Sequence, residues 1–112
     1  MKIAIPVAGG RLAMHFGHCD EFTLFEVDEE RRVVVASERV PSPEHAPGLL
    51  PEWLAAQGAT AVIAGGMGIR AQRLFAESGI TVLTGAPADE PQLIVQAYLD
   101  GELELGENVC DH

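Results

Sequence analysis

The sequence predicts a mixed α/β domain: a sheet opened by antiparallel strands, completed by parallel ones, and covered by helices on both faces. Three observations predict it. Short β-prone apolar runs fill residues 2–37 and are separated by glycines or by a run of charges. Beyond residue 48, apolar side chains recur at helical spacing and alternate with further short apolar runs. Each helical stretch stops at a glycine, which enters the left-handed conformation of a helix end without steric penalty. With 112 residues, 47% of them hydrophobic, the chain has room for one core, since domains run roughly 100 to 200 residues.

Lys2–Val7 is the first strand, ended by Ala8-Gly9-Gly10. Phe22–Val27 and Val33–Ser37 flank the charged segment Asp28–Arg32 as the arms of a hairpin. Val40–Gly48 carries Pro41, Pro43 and Pro47, too many for a helix or a central strand, and reads as a long loop. Leu49, Leu50, Trp53 and Leu54 mark a helix stopped by Gly58, and Ala61–Ala64 is a buried strand. Ile69, Leu74 and Phe75 mark a second helix ending at Gly79, and Ile80–Thr84 is a further strand. Leu93, Ile94, Ala97 and Tyr98 mark a third helix, stopped by Gly101. Residues 1–101 thus make one domain, and 102–112 an acidic tail of little periodicity ending in Cys-x-His, expected to be mobile or ordered by a ligand. The order βββαβαβα, with about five strands, demands right-handed crossovers between parallel strands in its second half. This is the ribonuclease-H-like arrangement. Nucleases built this way hold magnesium on first-strand carboxylates, and Ile3–Pro6 offers none.

Seventeen acidic residues against seven basic ones give a net charge of -10, the wrong sign for tracking a phosphate backbone, so no nucleic-acid partner is expected. No apolar run approaches the about 20 residues of a membrane helix, and the N-terminus lacks the pattern of a secretory signal. A cytoplasmic location is the expectation. Two cysteines, Cys19 and Cys110, are too few for the disulfide framework of a small secreted domain.

The densest chemical signal is His15-Phe16-Gly17-His18-Cys19, two imidazoles and a thiol just before a strand. These are the donors that zinc, copper, iron and iron–sulfur species prefer. Gly17 would let the chain bend so that both histidines face one centre, and Cys110 with His112 supplies a second pair of donors. The same residues also suit a buried, hydrophobic Cys19, a core Phe16, or a Cys19–Cys110 disulfide. Gly65-Gly66-Met67-Gly68 stands at a strand-to-helix turn, where free N–H groups and the helix dipole attract anions and where glycines also permit close packing. The run matches part of a dinucleotide fingerprint, but Thr84-Gly85-Ala86 stands where the ribose-binding acid belongs. Arg70 and Arg73 follow at once, cations placed against the dipole in an acidic chain, which points to an anionic ligand. His45, in the proline-rich loop, is a weaker candidate donor.

A first strand Lys2–Val7, the His15–Cys19 motif, Ile63–Gly68 followed by Arg70-Ala71, and a terminal Cys110-Asp111-His112 together resemble the dinitrogenase iron-molybdenum cofactor biosynthesis family. That family includes nitrogenase accessory proteins of the NifX and NafY type, the C-terminal part of NifB and the small orange protein. The resemblance implies a non-catalytic carrier of an anionic metal–sulfur cluster, with molybdenum and iron or copper, served by donor and acceptor proteins. By motif, His15, Phe16, Gly17, His18 and Cys19 would line the cluster, Gly65, Gly66, Met67 and Gly68 would offer N–H groups, and Arg70 would offset the net charge. Metal contact would fall to His15, His18, Cys19, Cys110 and His112. The alternatives are a mononuclear zinc or copper protein and a metal-free thiol redox module, the latter requiring a lowered Cys19 pKa. Pairing of two copies around one cluster is left open.

Overall fold

A computed structural model describes residues 1–43 and 48–108. Its sheet is mixed, as expected. Strand β1 (Lys2–Ala8) lies at the centre, β3 (Glu21–Asp28) pairs antiparallel on one side, and β4 (Val33–Pro41) continues to the edge. On the other side β5 (Ala61–Ile63) runs parallel to β1, and β6 (Thr81–Leu83) parallel to β5. Ile3 and Ile5 face one core and Ala4 the other, so β1 is apolar without alternation, the signature of a strand covered on both faces. Helices α1 (Leu49–Ala56) and α2 (Ile69–Glu77) supply Leu50, Leu54 and Phe75 to the core that Ala4 faces. Helix α3 (Pro91–Leu99) closes the opposite face with Ile94, Val95 and Leu99. Gly58, Gly79 and Gly101, just past the three helices, all take positive φ, so the common stop signal holds.

Two details differ from expectation. Residues Arg11–Leu12 form a short strand, β2, which folds back on β1 through Gly9-Gly10; a two-residue strand is too brief to show a period. The hairpin arm β4 continues through Val40 and Pro41, into what reads as loop from its prolines. Pro41 is tolerated there because β4 is the sheet's edge and has no outer neighbour among the described residues. The hairpin loop is tied by Asp28, whose Oδ1 accepts the N–H groups of Glu30 and Arg31. No helix among the described residues is long and apolar enough to cross a membrane.

Candidate functional site

Several turns meet at the end of the sheet where the parallel strands β1, β5 and β6 finish. Ligands of α/β sheets bind outside the carboxyl ends of strands, where successive connections leave in opposite directions. From β1 the chain passes to β3 on one side, while β5 lies on the other.

The turn after β2 is anchored from below by Phe16, which is buried, 6.0 Å from the ring of Phe22 and 5.4 Å edge-on to that of Phe75. With Phe16 drawn inward, its neighbours face out: His15 and His18 are both exposed, their rings 5.4 Å apart. The His18 N–H donates to the His15 carbonyl at 3.0 Å and closes the turn. Gly17 is exposed at its tip with no positive φ and nothing within 4 Å of an added Cβ, so the bend does not depend on glycine.

Cys19 turns the other way. It is 7% exposed, belongs to the core of Phe16 and Phe22, and its Sγ stands 4.0 Å from the Ser42 hydroxyl. Burial pushes the thiol pKa up; the Ser42 contact and a backbone hydrogen bond oppose this, and the Asp20 charge adds to it. The expectation that Cys19 shares one centre with the histidines is therefore corrected. Apolar side-chain packing claims the thiol, and the lowered pKa that a redox thiol needs is replaced by a raised one. No group of three His, Cys, Asp or Glu side chains able to hold a metal ion forms among the described residues. Cys110 and His112, and likewise His45, lie outside the described residues.

The glycine turn after β5 meets the histidine turn backbone to backbone. The Phe16 N–H donates to the Gly66 carbonyl at 2.8 Å, and the Gly66 N–H to the Met14 carbonyl at 2.7 Å. A Cβ on Gly65 would stand 3.0 Å from the Ala13 carbonyl oxygen and 3.1 Å from the Met14 Cα, so close packing accounts for that glycine. Of the four N–H groups expected to form a cradle, two are spent within the fold. Gly66 spends its N–H on Met14, and Met67 donates to the Asn108 Oδ1 at 2.9 Å. Helix α2 then starts at Ile69 with Gly68 as its cap, no capping side chain and no acid in its first turn. Arg70 and Arg73 are exposed there, and neither forms an ion pair among the described residues, whereas Arg11, Arg31 and Arg39 do.

Sequence reasoning missed three contributors. Gly85 donates its N–H to the Gly65 carbonyl at 2.6 Å and joins the turn after β6 to the site. Gln72 reaches back to the Met67 carbonyl, Nε2 to oxygen 2.8 Å, and Asn108 comes from the tail. Gly85, ending a strand, was the detectable one; no local pattern marks the other two.

A model of dinitrogenase iron-molybdenum cofactor proteins matches residues 1–101. The chain belongs to this family. It is 30% identical over 107 residues to the uncharacterised protein MJ0580 of Methanocaldococcus jannaschii, covering 93% of this chain and 90% of that protein. Of solved structures, PH0822 is similar with a TM-score of 0.87 at 28% identity over 96% of each chain. The apo form of the orange protein from Desulfovibrio gigas is similar with a TM-score of 0.73 at 25% identity, over 96% of this chain and 93% of that one. The family resemblance read from the His15–Cys19 and Gly65–Gly68 motifs is thus met at the level of the whole domain.

Proposed function

We propose that this protein is a non-catalytic cytoplasmic carrier that takes an anionic metal–sulfur cluster, or its precursor, from a donor protein and passes it to an acceptor. One observation carries the reading: an exposed imidazole pair, 5.4 Å apart, is stitched by two backbone hydrogen bonds to the turn that starts α2. There the helix dipole is uncapped by any side chain, and Arg70 stands in the first turn, where acids are usual, with Arg73 about one turn further on. In a chain of net charge -10 an anion is held only where local charge reverses the global field. The cargo is the substrate here: imidazole nitrogens of His15 and His18 meet metal atoms at its edge, and Arg70 faces its negative charge. Family membership and the likeness to the orange protein support molybdenum or iron sulfide as the cargo class.

The test is anaerobic reconstitution of the full chain with iron and sulfide, with molybdate, or with copper and thiomolybdate. Charge-transfer absorption is the expected result, lost in His15→Ala/His18→Ala and kept in Cys19→Ala. An uncoloured wild-type protein would end the carrier reading; full colour in the double histidine variant would end the site assignment.

A further inference from the structure

The tail segment carries an inference of its own, resting on the carrier reading above. We propose that residues 102–108 form an acidic strap whose last residues, 106–108, occupy the cargo end of the molecule and are displaced when the anionic cargo binds. The segment forms no helix or strand and is largely exposed, yet it is held at Glu102, Leu103, Gly106 and Asn108. The Glu102 N–H donates to the Ala97 carbonyl at 2.8 Å, and Leu103 packs on the core beneath α3. The Gly106 N–H donates to the Gly85 carbonyl at 2.7 Å, so the strap lies beside the turn after β6 as that turn lies beside Gly65. The approach is tight enough that a Cβ on Gly85, whose φ is +88°, would collide with the Gly106 carbonyl.

The strap reaches the start of α2 through Asn108. Its Nδ2 donates to the Met67 carbonyl at 2.7 Å, while its Oδ1 accepts the Met67 N–H at 2.9 Å. A carboxamide that takes both backbone groups of one residue imitates a strand partner. It spends an N–H one residue before the cap of α2, at the end of the helix that attracts anions. Glu102, Glu104 and Glu107 are exposed on the strap; it starts beside the C-terminus of α3, at the amino end of β1, and Glu107, between Gly106 and Asn108, brings negative charge toward the end that holds His15, His18 and Arg70. Glu107 and the cargo carry charge of the same sign, and the Asn108 clamp holds the former where the latter would bind. Each weakens the other's hold, as linkage between two competing ligands requires.

The experiment titrates the full chain anaerobically with tetrathiomolybdate, beside Asn108→Ala and Glu107→Gln, and follows amide hydrogen exchange at Gly106. Asn108→Ala should bind about fivefold more tightly, roughly the effect of one net hydrogen bond. Glu107→Gln, which removes charge without touching the clamp, should bind more tightly by a smaller factor. Saturating tetrathiomolybdate should speed exchange at Gly106 in the wild-type protein. Equal or weaker binding by both variants, or slower exchange at Gly106 on binding, would overturn the strap while leaving the carrier standing. No binding by any of the three proteins would overturn both.

Discussion

The carboxyl end of the sheet and the β3–β4 hairpin join their segments in different ways. At the carboxyl end neighbouring segments meet through backbone: Met14 with Gly66, Gly65 with Gly85, Gly85 with Gly106. A Cβ added at Gly65 or Gly85 intrudes, but the side chains of His15, His18 and Arg70 face outward. At the hairpin a backbone ladder from the Glu21 and Pro41 pair to the Asp28 and Val33 pair is reinforced by side chains, with Arg39 bonded to both carboxylate oxygens of Glu21 and Val34 and Val40 leaning on the two cores. Side chains can change there at little cost. The difference shows how a small domain presents donors: backbone contacts make the frame, and the side chains turn outward from it.

Phe16→Ala attacks the frame where it is anchored and should have the largest effect, about 3–5 kcal/mol of stability, read by urea denaturation. The His15–His18 pair should lose its spacing with it, so cargo colour should fall in the part of the population that stays folded. Gly85→Ala should cost about 2 kcal/mol or more, because φ is +88° and the Gly106 carbonyl blocks the new atom. A cost near zero at Gly85 would deny that backbone contact builds this end.

Cys19 gives a prediction about pH. Its thiol pKa is raised in the folded protein, chiefly by burial, so the folded state holds its proton more firmly than the unfolded one. The stability this supplies is complete below the ordinary thiol pKa and is lost as pH rises from there through the raised value. Denaturation midpoints should therefore fall with rising pH across that window, and Cys19→Ala should remove this part of the slope. A midpoint rising over the same range would place the thiolate, not the thiol, in the folded protein. The smallest effects belong to outward side chains. His15→Ala/His18→Ala and, on the hairpin, Val35→Thr at a position 65% exposed should each move stability by no more than about 0.5 kcal/mol. Only the histidine variant should lose cargo binding.

Much of the fold was legible because its signals are local. The apolar run of β1, the charged hairpin segment and the three glycine stops each depend on a few adjacent residues. The short strand β2 and the extension of β4 through Pro41 were not, because both depend on a neighbour supplied from elsewhere in the sheet. The site divides in the same way. The two motifs were visible, and their meeting at His15 and Gly66 agrees with the strand order. Which way each side chain faces was not visible. Phe16 goes inward and takes Cys19 with it, a result of packing against Phe22 and Phe75, and no spacing of donors encodes that. The use of the Met67 N–H by Asn108 depends on a contact spanning 41 residues.

The central position of β1 also bears on how the chain reaches its working form. Its pairing with β3 joins Ile3 to Phe25, a modest loop to close, whereas its pairing with β5 joins Ile3 to Ala61. Long-range parallel pairing is the slower event, since more chain entropy is lost before any contact is gained. The histidine turn and the glycine turn lie on opposite sides of that late junction. A nascent or partly folded chain can hold its hairpin before the two turns have met, so on the carrier reading proposed above capture would be reserved for molecules that have finished folding.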